Sequence, residues 1–141
     1  MDNPLDLYAF AEERGIDVDW ITMPQADSLS ILMPGGSFCI ALDPWKMHTL
    51  SKEIVSLAHE LGHCETGSFY NKYAALDIRE KHEHRADKWA IEHLVPAADL
   101  RQAAREGHTE LWDLAEYFDV TEDFMQKAVW YHRHGNLAVG A

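Results

Sequence analysis

Hydrophobic and polar positions follow different periods in successive parts of the chain. Leu5, Tyr8 and Phe10 lie at near-helical spacing between Pro4 and Arg14, and Gly15 follows them. Apolar residues at this spacing, followed by a glycine, are typical of a short helix and its end. We therefore expect a helix at the start of the chain.

The pattern then changes to three short runs rich in β-branched and aromatic residues, which predict three strands. The runs contain Val18, Trp20 and Ile21; Leu29, Ile31 and Leu32; and Phe38, Ile40 and Leu42. They end at Pro24, at Pro34-Gly35-Gly36 and at Asp43-Pro44. Tight turns between consecutive strands favour an antiparallel meander. Asp43 and Pro44 also fit an N-cap and a first helical position, so a helix is expected to start there.

A helical period is clear from Thr49 onward. Its apolar stripe repeats at i, i+4, i+7, i+8 and i+11 and consists of Leu50, Ile54, Leu57, Ala58 and Leu61. A stripe of this width is expected to face the core. Gly62 weakens the helix, and Glu65-Thr66-Gly67 is expected to end it.

Helical patterns continue to the end of the chain, with breaks at proline and glycine. We expect helices from about 75 to 94, from Pro96 to near Gly107, over 111–118, and from Thr121, as N-cap, to about 131. The residues after 134 are expected to be loose. The prediction is an α+β fold: a small three-stranded antiparallel sheet packed on the helix that begins near Thr49, followed by further helices. Residues 1–141 are expected to form one domain with a helix-rich C-terminal subregion at about 96–134.

Composition narrows the class of protein. The chain has 141 residues, of which 47% are apolar and 26% charged, the balance of a globular domain rather than a disordered or membrane-spanning one. Its formal net charge is −12, which disfavours nucleic acid as a partner. The N-terminal residues resemble no signal peptide, so a cytoplasmic location without membrane attachment is expected. Cys39 and Cys64 are accordingly expected to be free thiols.

The chemistry of the chain centres on His59-Glu60-Leu61-Gly62-His63, which reads H-E-x-x-H. Histidines four apart lie one above the other on a helix and can bind the same zinc ion. On this helix they point about 180° away from the apolar stripe. Glu60 projects to the side of the metal, where its carboxylate can act as general base on the attacking water.

A third ligand distinguishes a metal site from a chance pair of histidines. The segment 80–87 offers several candidates, of which Glu83 and Asp87 lie four residues apart on one helix face. If Glu83 binds zinc, Asp87 can accept the free N–H of a ligating histidine. His82 and His84 are the alternative third ligands. A histidine ligand would explain only its own presence, whereas Glu83 also explains the position of Asp87. Two histidines and a glutamate around zinc are typical of a catalytic site.

These residues together resemble the ImmA/IrrE family of bacterial and phage zinc metallopeptidases, and more broadly the gluzincins. The resemblance rests on H-E-x-x-H at 59–63, on Glu83-x-x-Ala86-Asp87-x-Trp89-Ala90, and on Leu94-Val95-Pro96, and it covers roughly residues 5–125. The family often has asparagine in place of Asp87 and methionine in place of Val95. The resemblance implies a hydrolase with one zinc ion per chain, bound by His59, His63 and Glu83.

The resemblance also implies a substrate class. Several members cut, or promote the loss of, helix-turn-helix repressors, often encoded beside them on phages or mobile elements, and they act in the cytoplasm. Other members show little proteolysis. A non-catalytic, zinc-stabilised regulator that binds a repressor or an antitoxin-like partner therefore remains an alternative. The toxin component of a toxin–antitoxin pair is a further one.

Two other features carry weaker functional hypotheses. Tyr70, Tyr73, His82 or His84 could donate a hydrogen bond to the developing oxyanion of a peptidase. The segment 114–121 resembles the start of a helix-turn-helix. Its second helix would begin with Glu122 and Asp123, which disfavours DNA binding. We expect this helix pair to pack on the protein body or to dock a partner.

Overall fold

A computed structural model describes residues 4–69 and 75–135 and confirms an α+β fold. Six helices and three strands lie within these residues. In chain order they are α1 (Pro4–Glu13), β1 (Asp17–Trp20), β2 (Ser28–Leu32), β3 (Phe38–Leu42), α2 (Leu50–Thr66), α3 (Leu76–Leu94), α4 (Ala97–Arg105), α5 (Leu111–Phe118) and α6 (Glu122–His134). Residues 136–141, expected to be loose, lie outside the described part.

The sheet is mixed, so the predicted antiparallel meander is wrong. Its strand order is β1-β3-β2; β2 runs antiparallel to β3, whereas β1 runs parallel to it. Residues 21–27 do not form a tight turn but cross the end of β3. The Ile21 N–H donates to the Leu42 carbonyl, and the Asp43 N–H donates to the Asp27 carbonyl, both at 2.9 Å. These bonds carry the chain past β3 and place β2 at the opposite edge of the sheet.

Asp43 fixes this crossing instead of starting a helix, which corrects the N-cap expected there. Its buried carboxylate accepts the N–H of Met23 and the N–H of Trp45, each at 2.9 Å. Helix α2 begins only at Leu50, and its N-cap is Thr49, whose hydroxyl accepts the Lys52 N–H at 3.1 Å. The Lys46 N–H donates to the Asp43 carbonyl at 3.1 Å, so Asp43 begins a turn, and the helix starts only after Thr49.

Helix α2 is the central element of the fold. It packs most extensively against α3 and also contacts α1, β2 and β3. The apolar stripe lies in the core from Ile54 onward, together with Leu57 and Leu61. Leu50 was expected in this stripe but is 56% exposed, because it is the first residue of the helix. The helix ends at Gly67, as predicted, and Gly67 has a left-handed conformation with φ 66°.

Helices α2 and α3 approach each other very closely at one point. A Cβ atom on Gly62 would lie 2.5 Å from the Ala86 carbonyl oxygen and 2.9 Å from the Ala86 Cα. A glycine is therefore required at this helical position because of the neighbouring backbone. The contact brings the histidine face of α2 against α3.

The C-terminal helices α5 and α6 pack against each other and join the core. The buried residues of this pair and of the connection between its helices are Leu114, Ala115, Val120, Phe124, Met125 and Ala128. Thr121 is the N-cap of α6, as predicted, and accepts the Phe124 N–H at 3.2 Å. No helix among the described residues is both long and apolar enough to cross a membrane.

Candidate metal centre

His59, His63 and Glu83 converge on one point between α2 and α3. The Nε2 atoms of the two histidines lie 3.2 Å apart. Glu83 Oε2 lies 2.6 Å from His59 Nε2, and Glu83 Oε1 lies 3.1 Å from His63 Nε2. One ligand atom from each residue lies within 4.8 Å of the others. Three side chains from two helices thus form one candidate metal centre.

The second ring nitrogen of each histidine is held by a neighbour. His59 Nδ1 donates to Asp87 Oδ1 at 2.6 Å, and His63 Nδ1 donates to the Ser68 carbonyl oxygen at 2.5 Å. A carbonyl oxygen can only accept, so the neutral ring of His63 carries its lone pair on Nε2. Both rings are therefore oriented with Nε2 toward the shared point, the arrangement that metal-ligating histidines use.

The electrostatics of the cluster favour a cation at this point. Burial lowers the pKa of His59, but its hydrogen bonds with Asp87 and Glu83 outweigh burial and raise the pKa to about 10. Burial opposes ionisation of the two carboxyl groups, yet their hydrogen bonds with the histidines hold the pKa of Glu83 and of Asp87 below the ordinary values. The two carboxylates beside the histidines therefore make this point favourable for positive charge.

The donor set fits a metal ion. Two imidazole nitrogens and one carboxylate suit zinc in particular, and three protein ligands leave room for a further one. No fourth side chain among residues 4–69 and 75–135 joins the group of candidate ligands. His59, His63 and Glu83 are thus the residues that could hold the ion.

Glu60 lies beside the centre, apart from the three candidate ligands. It is 5% exposed, and its Oε2 accepts the hydroxyl of Ser28 at 2.6 Å. Ser28 belongs to β2, the edge strand nearest the cluster. The structure therefore places a carboxylate next to the candidate metal site and fixes its orientation from the sheet.

All of these groups line one open cleft of ≈ 1360 Å³. One wall is formed by β2 and α2, and α3 contributes Arg79, Glu80 and His84 as well as Glu83 and Asp87. The C-terminal part of the lining consists of Thr121, the N-cap of α6, and the α6 residues Asp123, Phe124, Gln126, Lys127 and Trp130. Glu60 and the three candidate ligands therefore lie in the same cleft.

A family model described as the IrrE N-terminal-like domain, peptidase M78, matches residues 11–129. The chain belongs to the ImmA/IrrE family. The match covers α2 and α3 with all three candidate ligands, and most of α6. By family, this ImmA/IrrE domain is a peptidase domain. Comparison with curated proteins and with solved structures found no match.

Several contacts of this ImmA/IrrE domain were missed in the sequence. Ser28 reaches Glu60, and the Ser68 carbonyl reaches His63, although neither residue carries a motif. Lys127 on α6 forms an ion pair with Asp87, with Lys127 Nζ 3.1 Å from Asp87 Oδ2. Helical periodicity alone does not indicate which distant residue Lys127 contacts. None of these three contacts belongs to a sequence motif that would predict it.

The remaining sequence hypotheses have mixed outcomes. Tyr70 and Tyr73, two of the expected oxyanion donors, lie outside the described residues. His84 lines the cleft, whereas His82 is not among the lining residues. The helix-turn-helix-like segment is the α5–α6 pair, which packs on the protein body as expected. Cys39 and Cys64 are both free thiols.

Proposed function

We propose that the chain is a zinc-dependent endopeptidase that hydrolyses a peptide bond in a cytoplasmic protein. The observation that supports this most is the convergence of His59, His63 and Glu83 in an open cleft, with Glu60 beside them. A structural zinc site would be closed by a fourth protein ligand, whereas a catalytic site keeps one position open. The three-ligand group in this cleft has the catalytic arrangement.

The roles of the residues follow from their positions. Zinc, when bound, supplies a Lewis acid that polarises a carbonyl group and lowers the pKa of water. Glu60 takes a proton from the attacking water while the water oxygen forms a bond to the scissile carbonyl carbon. Glu60 then returns the proton to the amine nitrogen as the C–N bond breaks. Asp87 and the Ser68 carbonyl keep the ligand rings in place, and Ser28 orients Glu60.

Negative charge that develops on the carbonyl oxygen needs a donor. His84 and Arg79 both line the cleft from α3, and Arg79 precedes Glu83 by one helical turn. Both side chains carry N–H groups, so they are the candidate donors to the substrate oxygen.

For the substrate, we propose a helix-turn-helix repressor encoded near the gene, in phage or mobile-element regulation. This rests on the family resemblance. The net charge of −12 supports a protein rather than DNA as the partner. A non-catalytic regulator of the same partner, or the toxin of a toxin–antitoxin pair, is the second candidate. The open cleft favours hydrolysis over both.

The substitution Glu60→Gln tests this function. It keeps the shape of the side chain, removes the base, and leaves the three candidate ligands unchanged. Wild type co-expressed with the repressor from the same locus should produce repressor fragments. Glu60→Gln should leave the repressor intact while the purified protein keeps its zinc.

Glu80→Gln is the matched control, because Glu80 also lines the cleft but lies on the exposed side of α3. It should cleave like wild type. If Glu60→Gln relieves repression as well as wild type and no fragment forms, hydrolysis is not the mechanism, and the non-catalytic regulator takes its place.

A further inference from the structure

Lys127 connects the C-terminal helix α6 to the candidate metal centre. Its Nζ lies 3.1 Å from Asp87 Oδ2, while Asp87 Oδ1 binds His59 Nδ1 at 2.6 Å. His59 Nε2 in turn points to Glu83. One carboxylate thus bridges an ammonium group on α6 and an imidazole on α2, using a different oxygen for each.

Burial distinguishes this ion pair from an ordinary surface pair. Exposed pairs contribute little because water screens both partners. The side chain of Asp87, however, is only 10% exposed, although that of Lys127 is 55% exposed. Without Lys127, one buried carboxylate oxygen would lose its charged partner and its hydrogen bond, and such a loss is costly. The carboxylate would then be free to turn away from His59.

The backbone of Lys127 is held firmly enough to orient another residue. Phe124 and Ala128, on the adjacent face of α6, are buried in the core. Thr121 caps the start of the same helix. Packing of α6, rather than the metal site itself, therefore fixes the backbone position from which the Lys127 side chain reaches Asp87.

We propose that Lys127 is a positioning residue of the metal centre, which acts on His59 through Asp87. The proposal rests on the proposed function for the presence of zinc. The α5–α6 helix pair would then help to form the metal site, in addition to lining the cleft.

A purely electrostatic role of Lys127 would affect zinc affinity in the opposite direction from a positioning role. A positive charge near a bound dication repels it, so removal of Lys127 would tighten metal binding if charge alone mattered. If Lys127 instead holds Asp87 in place, its removal weakens metal binding. The direction of the change therefore separates the two roles.

The experiment measures zinc affinity by competition with a chromophoric chelator. Lys127→Ala should bind zinc about 3–10-fold more weakly than wild type, less than the ~10–100-fold typical of losing a direct partner of a ligand. Lys127→Arg should restore most of the affinity, because a guanidinium group keeps both charge and donors. Lys88→Ala, next to Asp87 on the exposed side of α3, makes the same charge change and should bind like wild type.

A double-mutant comparison shows whether Lys127 acts through Asp87. In an Asp87→Asn background, Lys127→Ala should cause no further loss of zinc affinity. Cobalt(II) in place of zinc gives a second readout: the visible absorption bands should change in Lys127→Ala but not in Lys88→Ala.

Unchanged or tighter zinc binding by Lys127→Ala would overturn the proposal, as would an equal loss in the Asp87→Asn background. In either case wild type still binds zinc, so the proposed function stands. If wild type binds no zinc, the proposed function and this inference fail together.

Discussion

Gly62 lies directly against the backbone of Ala86. A Cβ atom on Gly62 would lie 2.5 Å from the Ala86 carbonyl oxygen, far inside ordinary contact distance. The neighbouring atoms belong to a helix backbone and cannot move aside like the end of a flexible side chain. Gly62 precedes His63, and Ala86 lies between Glu83 and Asp87, so this contact sets the distance between the two helices that supply the candidate ligands.

Gly62→Ala should therefore destabilise the protein and weaken zinc binding. In an exposed helix the same change would stabilise by about 0.5–1 kcal/mol. Here overpacking costs roughly 1–3 kcal/mol, so the free energy of unfolding should fall. Separation of the helices should also move Glu83 away from His59 and His63. Chemical unfolding and chelator competition measure the two effects. A more stable variant with unchanged zinc affinity would show that the helices are not in close contact.

Asp87 should contribute to metal binding without being a ligand. Asp87→Ala removes the acceptor for His59 Nδ1 and should reduce zinc affinity or activity about 10–100-fold. Asp87→Asn should be milder, because its amide oxygen can still accept the same hydrogen bond. The measurement is again chelator competition. Equal losses in the two variants, or a loss of all bound zinc in Asp87→Asn, would contradict this role.

Ser28 should affect hydrolysis but not metal binding. Ser28→Ala removes the hydrogen bond to Glu60, and a bond of this kind to a charged group contributes about 1.5–3 kcal/mol. Repressor cleavage should slow by about tenfold or more, with zinc content unchanged. Ser30→Ala is the control, since Ser30 lies on the same face of β2 and also lines the cleft. If Ser30→Ala slows cleavage as much, the Ser28–Glu60 bond is not the cause.

Helical spacing predicted which residues of the candidate site lie next to each other within one helix. His59 and His63, four apart, share one face of α2, and Glu83 and Asp87 share one face of α3. Helix boundaries from Thr49 onward followed the apolar period and the caps. These features depend on residues close together in the chain.

Contacts between distant segments could not be predicted in the same way. The parallel pairing of β1 with β3 depends on how Asp43 binds the 21–27 connection. The apolar residues within a strand do not indicate how the chain crosses to the next strand. Likewise, Lys127 meets Asp87 only because α6 folds back across the cleft. Gly62 was interpreted as a weak point of a helix, although its role depends on Ala86 in another helix.

Metal analysis of the purified protein and its variants tests the central claim most directly. Elemental analysis should find one zinc per wild-type chain. Alanine variants of His59, His63 and Glu83 should lose it, and His84→Ala and His82→Ala should retain it. Zinc retained in full by Glu83→Ala but lost from His82→Ala or His84→Ala would contradict the proposed ligand set, and a wild-type protein without zinc affinity would contradict the metal centre itself.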